Sequence, residues 1–132
     1  MRAIEPWVLG PLQRFVNDAS ARLVLLMTTS GQVVAQHGFP GALDLMSAAA
    51  LGAAIVASSS ELASQLDWRP FQVITHQGDD QSHLLAWFDT PQGRWVALVV
   101  FGRETKLGLV RVYFERLIEE LARTGEGKFI IT

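Results

Sequence analysis

Histidine is the side chain best suited to proton transfer and metal binding near neutral pH, and the chain has three. If Asp79 and Asp80 form the centre of a two-residue turn, His76 and His83 face each other across a β-hairpin. Two imidazoles beside two carboxylates could hold a transition-metal ion. Protein metal sites usually have a third or fourth ligand, and the sequence supplies none at a regular spacing. A solvent-facing histidine pair is therefore favoured, with a metal clip as the less common alternative.

No other group of residues has the pattern of a catalytic site. Ser58 to Ser60 could supply a nucleophile only if a histidine and a carboxylate were brought to them, and the sequence has no G-x-S-x-G elbow. Neither G-x-x-x-x-G-K-[ST] nor G-x-G-x-x-G occurs. The absence of cysteine excludes thiol nucleophiles, disulfides and cysteine-based zinc sites. We therefore predict no catalytic residue, no metal and no cofactor, and a chain that is not an enzyme.

The composition indicates a single domain with a tendency to associate. Hydrophobic residues make up 49% of the 132 residues and charged residues only 18%, which is more apolar than a small domain requires. The net charge of −2 and the lack of a basic run argue against a nucleic-acid partner. The N-terminus lacks the apolar core of a signal peptide, and the longest apolar run is interrupted by polar residues. We expect a cytoplasmic protein without membrane insertion.

Hydrophobic periodicity predicts the order helix, two strands, long helix, three strands, helix. Short turns between the strands make the sheet mostly antiparallel, and the fold class is an α-β-β-α-β-β-β-α sandwich of the α+β type. The predicted units are an extension over residues 1–10, a domain over 11–124 and a tail over 125–132. The first helix is expected to begin at Gly10–Pro11 and the last to end at Gly125–Gly127.

The stretch from Leu43 to Leu66 is predicted to form a long helix with three faces. We expect its bulky apolar face to pack on the protein's own core, and this face comprises Leu51, Ile55, Leu62 and Leu66. A ridge of small residues on roughly the opposite side suits close contact with a second subunit, and it comprises Ala49, Ala53, Ala57, Ser60 and Ser64. A polar strip between them consists of Ser47, Ser58, Glu61 and Gln65.

The tryptophans divide between core and surface. Trp87 and Trp95 lie on adjacent predicted strands, and large aromatic side chains are buried on average, so the core is their expected place. Trp68 follows the long helix and could anchor a partner, because tryptophan is favoured at interaction hot spots. Trp7 falls in the predicted extension.

Three stretches together resemble the roadblock (dynein light-chain) family. They are the strand–turn–strand RLVLLMTTSGQVVAQHG, the small-residue helix that follows it, and Lys106–Arg111 opening the last helix. The resemblance covers about residues 11 to 124. In the last stretch, Gly108 would allow close packing of the helix entry. One departure is Thr28-Thr29-Ser30-Gly31, where relatives often have an acidic residue before the glycine.

The resemblance implies a five-stranded antiparallel sheet with the long helix on one face and the terminal helices on the other. It also implies a homodimer formed through the long helix and the edge strand Phe71–Gln77. Combined with the small ridge, it places the dimer interface at Met46, Ala49, Ala53, Val56, Ala57, Ser60, Ser64, Phe71 and Val73. Bacterial members, including a regulator of gliding motility, act on or scaffold small Ras-like GTPases, so the exposed polar strip is the expected GTPase contact.

Three functions follow from these observations. The leading hypothesis is a homodimeric regulator or scaffold of a small Ras-like GTPase, similar to a GTPase-activating protein. The alternative is a structural subunit that forms dimers, heterodimers or filaments without regulating a GTPase. A small-ligand sensor is a third class, but it needs polar groups that converge in a cavity, and the predicted strands offer almost none.

Overall fold

The computed structural model describes residues 6–39, 41, 44–69 and 72–131, with side chains over residues 7–123 of these ranges. It contains three helices and five strands in the predicted order. Their bounds are α1 Pro6–Ala19, β1 Leu23–Thr28, β2 Val33–Gly38, α2 Leu45–Gln65, β3 Val73–Gln77, β4 Gln81–Thr90, β5 Gly93–Gly102 and α3 Leu107–Ile131.

The five strands form one antiparallel sheet in the order β2-β1-β5-β4-β3. The strand β1 is buried along nearly its whole length, as its continuous apolar sequence predicts. The strand β3 forms one edge of the sheet, and four of its five residues are exposed. The predicted α+β fold class is confirmed.

Helices cover both faces of the sheet, and each face has its own core. The side chains of α1 and α3 pack with one another and with one sheet face, and this core contains Phe15, Phe88, Trp95, Phe114 and Leu117. The other core lies between α2 and the opposite sheet face, and it contains Leu25, Met27, Ala53, Leu85 and Leu98. The arrangement implied by the family resemblance is confirmed.

The first helix begins earlier than predicted. It starts at Pro6 and includes Pro11, so the predicted start at Gly10–Pro11 is wrong. Val8 is fully buried one turn before Leu12, and the Trp7 ring stacks on Trp95 with 6.0 Å between ring centroids. A proline inside a helix removes one backbone hydrogen bond. Burial of the first turn offsets this loss, because Val8 joins the core and the half-buried Trp7 packs against it.

The last helix extends further than predicted. Its backbone remains helical to Ile131, so the expected end at Gly125–Gly127 is wrong. Glycine lowers helix propensity by about 1 kcal/mol relative to alanine but keeps its backbone hydrogen-bond donor. Two separated glycines therefore weaken this helix without ending it.

The long helix begins at a capping aspartate that the sequence prediction did not single out. The Asp44 carboxylate accepts hydrogen bonds from the backbone N–H groups of Met46 at 3.1 Å and Ser47 at 3.4 Å, and from the Ser47 hydroxyl at 2.9 Å. The two backbone N–H groups are among the donors that the first turn of a helix leaves unpaired. The predicted first residue, Leu43, lies outside the described residues.

Candidate interaction surface on the long helix

The orientation of α2 on the sheet differs from the prediction. Its buried residues are the small ones, Ala48, Ala49, Gly52, Ala53, Val56 and Ala63. The three leucines assigned to the core point away from it, with 65% of Leu51, 55% of Leu62 and 46% of Leu66 exposed, and Ile55 is half-buried. The predicted assignment of the bulky face to the core is therefore wrong.

Close approach between α2 and the sheet explains this orientation. A β-carbon added to Gly52 would lie 3.2 Å from Leu85 Cδ2 and 3.3 Å from Met27 Sδ. The β1–β2 turn also lies against the helix, since a β-carbon on Gly31 would lie 3.0 Å from the Ala50 Cα. Only small side chains fit at such separations. The small residues therefore serve contact between the helix and the sheet of the same chain.

This arrangement changes the predicted dimer interface. Ala49, Ala53 and Val56 are 0%, 6% and 7% exposed and pack in the core under α2, so little of their surface is available to a second subunit. Other members of the predicted interface remain accessible, namely Met46, Ala57, Ser64 and Val73, with Ser60 half-buried. Phe71 lies outside the described residues.

The outward leucines form an apolar flank on the surface. Leu51, Leu62 and Leu66 are separated by eleven and four residues, which places them on one side of an α-helix; we call them the leucine flank. Among the described residues, ten large hydrophobic side chains are exposed, and six lie between the start of α2 and the start of β3. These six are Met46, Leu51, Leu62, Leu66, Trp68 and Val73. Exposed apolar side chains concentrated in one part of a chain are typical of an interaction surface.

By length and composition alone, α2 could also cross a membrane. A core helix of a soluble protein passes the same test, so this is weak evidence for a span. The small-residue face of α2 packs on the sheet. The apolar character of the helix is accounted for by that contact and by the leucine flank.

The predicted GTPase contacts lie on the side of α2 that faces away from the sheet. Ser47, Ser58, Glu61 and Gln65 are all exposed. The Gln65 side-chain amide donates to the Glu61 carboxylate at 3.1 Å, while the Ser47 hydroxyl is engaged in the helix cap. The polar strip is thus accessible beside the leucine flank. Its role as a GTPase contact stays a prediction.

The histidine pair has the predicted geometry. Gly78 N–H donates to the Gln81 carbonyl at 2.9 Å across Asp79 and Asp80, and His76 lies opposite His83. His76 Nδ1 and His83 Nε2 are 2.8 Å apart. Partial burial, and next the nearby His76 charge, lower the pKa of His83 below its usual value. The described residues contain no cluster of three metal-binding acidic, histidine or cysteine side chains.

The tryptophans follow the predicted division in part. Trp95 is buried on the α1 and α3 face, and Trp87 is half-buried on the opposite face. The Arg94 guanidinium lies 3.9 Å from the centre of the Trp87 ring and donates to Asp89 at 2.8 Å. This arrangement was not predicted, because it forms only where the ends of the adjacent strands β4 and β5 bring the side chains of Trp87 and Arg94 together. Trp68 is exposed, as a partner anchor requires.

The expected role of Gly108 is wrong. A β-carbon at this position would meet no heavy atom within 4 Å, and the residue is exposed. The close approach that the sequence placed at the entry of α3 occurs instead at Gly52 on α2. Glycine at position 108 therefore has no packing role in the described part of the chain.

The described part of the interior contains few polar groups that could bind a small polar ligand. Among the described residues, Thr105 is the only buried polar side chain, and its hydroxyl donates to the Ser20 carbonyl at 3.0 Å. A buried oxygen of Gln36 is the one buried side-chain polar atom without a hydrogen-bond partner in this part of the chain. Ligand sites usually combine an apolar cavity with several convergent polar groups. The two cores instead consist of packed apolar side chains.

Comparison with known proteins gives matches among solved structures only. No family model and no curated protein matches the sequence. The structure is similar to MglB of Myxococcus xanthus, with 29% sequence identity, a TM-score of 0.82 and coverage of 91% of this chain and 95% of that chain. It is similar to a second MglB structure, described as having a tetrameric arrangement, with 26% identity, a TM-score of 0.83 and coverage of 96% and 93%.

The fold is also that of a Roadblock/LC7 domain from Streptomyces avermitilis. The identity is only 16%, but the TM-score is 0.74, with coverage of 98% of this chain and all of that domain. The resemblance predicted from three short stretches of sequence is therefore confirmed: the chain has the roadblock fold and is similar to MglB along nearly its whole length.

Proposed function

We propose that this chain is a non-enzymatic regulator or scaffold of a small Ras-like GTPase and that it acts as a homodimer in the cytoplasm. The observation that carries the proposal is the similarity to MglB over more than nine-tenths of the chain. The exposed apolar and polar surfaces of α2 provide two distinct places for protein partners.

Self-association is proposed to use the leucine flank and the exposed edge strand β3. Between 46% and 65% of each leucine in the flank is exposed. Full burial of a leucine contributes about 1.5–3 kcal/mol, so covering three half-exposed leucines in each subunit contributes several kcal/mol before the entropic cost of association. The MglB structure with a tetrameric arrangement supports association in a similar protein.

The mass of the purified chain in solution tests self-association. A homodimer has twice the 14.5 kDa of the single chain. Light scattering coupled to size exclusion should give this doubled mass at micromolar concentration, about the range in which interfaces of standard size are populated. A single-chain mass throughout that range would contradict the proposal.

Binding of the GTPase is proposed to use the polar strip of α2. Glu61 is the charged member of this strip, and it faces away from the protein's own core. We expect Glu61→Lys to weaken binding more than Glu119→Lys, a charge reversal at an exposed glutamate on α3. The two variants have the same change in charge, so a difference in their GTPase binding shows that the position of the charge on the surface matters.

The decisive assay measures GTP hydrolysis by a small Ras-like GTPase from the same genome, with and without this chain. Stimulated hydrolysis would identify a GTPase-activating role, and nucleotide-dependent binding without stimulation would identify a scaffold. Absence of binding to the GTPase in both its GDP-bound and GTP-bound states would contradict either role.

A structural assembly subunit is the second candidate. The observation that favours it is the edge strand β3, whose residues are mostly exposed and whose outer side has no neighbouring strand in the described part of the chain. An unpaired edge can accept a strand from another molecule. Masses above that of a dimer that increase with protein concentration, together with an inert GTPase assay, would favour this function.

A further inference from the structure

The β3–β4 hairpin holds two imidazole rings whose nitrogens converge. His76 and His83 are directly opposed residues of an antiparallel pair. Their rings are nearly perpendicular, at 83°, with centroids 4.8 Å apart and with His76 Nδ1 only 2.8 Å from His83 Nε2. The two side chains therefore meet through their ring nitrogens.

This geometry is compatible with two chemical states of the pair. With one N–H between the rings, the two nitrogens form a hydrogen bond. A neutral imidazole can carry its proton on either nitrogen. If the proton of the donor ring moves to its outer nitrogen, both inner nitrogens present lone pairs to the same point. No net proton release is then required for a cation to bind there.

His83 is the more buried member of the pair. The residue is half-buried, and it lies beside the apolar Val100 of β5. Metal ions bind the neutral imidazole form of histidine. His76 is exposed, which leaves the other side of the pair open to water.

We propose that His76 and His83 form a two-histidine site for a divalent transition-metal ion of the class that prefers imidazole, such as Zn²⁺. Zinc–nitrogen bonds of about 2.0–2.1 Å in tetrahedral geometry place two ligand nitrogens roughly 3.4 Å apart. The present separation is 2.8 Å, so a small rotation of the exposed His76 ring accommodates the ion. Water occupies the remaining coordination positions, because the described residues supply no third ligand.

The bound ion would link the edge strand β3 to its neighbour β4. In the described part of the chain, β3 has one hydrogen-bonded neighbour, β4, and each strand contributes one ligand. A metal ion bridging the two strands adds a second connection at the end of the sheet where the hairpin turns. This site is separate from the polar strip of α2 and does not depend on regulation of a GTPase.

Calorimetric titration of the full chain with Zn²⁺ alone tests the proposal. The experiment is best done at about pH 7.5, where an ordinary histidine is mostly neutral. The matched variants are His76→Asn, at an exposed ligand, and His37→Asn, at the histidine on the opposite edge strand β2. We expect one Zn²⁺ per chain in the wild type and in His37→Asn, and at least about tenfold weaker binding in His76→Asn.

A spectroscopic measurement separates ligation from an indirect effect of the substitution. In ¹H–¹⁵N spectra of the imidazole rings, Zn²⁺ should shift the resonances of His76 and His83 and leave those of His37 unchanged. The melting temperature of metal-free His76→Asn should match that of the wild type, because the side chain is exposed. Absence of Zn²⁺ binding by the wild type, or equal binding by His76→Asn, would overturn the proposal.

Discussion

The two faces of the sheet are built from side chains of different size. The core under α1 and α3 contains five buried aromatic residues, Phe15, Phe88, Trp95, Phe101 and Phe114. The core under α2 contains mainly alanine and medium-sized aliphatic residues. Large rings fill the core under α1 and α3, which we call the thick face. On the other side, which we call the thin face, α2 approaches the sheet closely, because Gly52 lies against Leu85 and Met27.

This difference in side-chain size explains why the large apolar residues of α2 remain at the surface. Two neighbouring helices on one face cover each other as well as the sheet, and large side chains fill the space between them. A single helix that approaches the opposite face closely buries only its small residues. Its leucines then remain at the surface, where a protein partner can cover them.

Truncation of a ring on the thick face should have the largest effect on stability. Phe114 is buried and contacts Phe15 and Phe88 edge to face, at centroid distances of 6.1 Å and 6.5 Å. We expect Phe114→Ala to lower the free energy of unfolding by about 3–5 kcal/mol, because it leaves a cavity. Urea denaturation measures this value. A loss below about 1 kcal/mol is typical of surface substitutions, and it would show that the Phe114 ring does not fill the core of the thick face.

On the thin face, replacing a residue by a larger one should lower the stability more than truncation does. We expect Gly52→Leu to lower the free energy of unfolding by about 1–3 kcal/mol, because the side chain would displace Leu85 and Met27. Gly52→Ala is the matched control. Its added methyl group meets atoms at 3.2 Å and 3.3 Å, and a gain in helix propensity of about 1 kcal/mol offsets that strain. If Gly52→Leu were as stable as Gly52→Ala, α2 would not lie close to the sheet.

Loss of the α2 cap should have a smaller effect that depends on pH. The Ser47 hydroxyl, followed by the Ser47 backbone N–H, lowers the pKa of Asp44 below its usual value. A carboxylate with a lowered folded-state pKa contributes stability above its unfolded pKa of about 3.9, and that contribution is lost as the pH falls through the folded value. We therefore expect Asp44→Ala to lower the melting temperature at neutral pH but not in strong acid.

Asp44→Asn is the control for the cap, because asparagine caps helices about as well as aspartate without ionising. It should retain most of the neutral-pH stability and show a weaker dependence on pH. An equal loss in the alanine and asparagine variants would show that charge rather than hydrogen bonding is responsible.

The sequence was most informative where the determining contacts are local. The pattern of apolar residues and turn residues predicted the succession of helices and strands along the chain. The register of His76 opposite His83 followed from a two-residue turn. The first residue of α1 was less predictable, because Trp7 and Val8 join the helix through contacts with distant parts of the core.

The orientation of α2 could not be read from its own residues. The helix carries both a small apolar ridge and a bulky apolar flank, and either could face a sheet. The choice depends on the surface opposite it, where Met27 and Leu85 leave no room beyond Gly52. Those two residues lie on strands 25 and 33 positions away along the chain, so helical periodicity contains no information about them.

Self-association of this chain is proposed to depend on the leucine flank of α2. Its most direct test compares Leu62→Glu with Val112→Glu, an equivalent change at an exposed apolar residue of α3. Both residues are exposed, so each variant should change the stability of the single chain by no more than about 0.5 kcal/mol. The measurement is the mass in solution at matched concentration. We predict the single-chain mass for Leu62→Glu and the doubled mass for Val112→Glu and the wild type. A doubled mass for Leu62→Glu would show that the leucine flank is not needed for self-association.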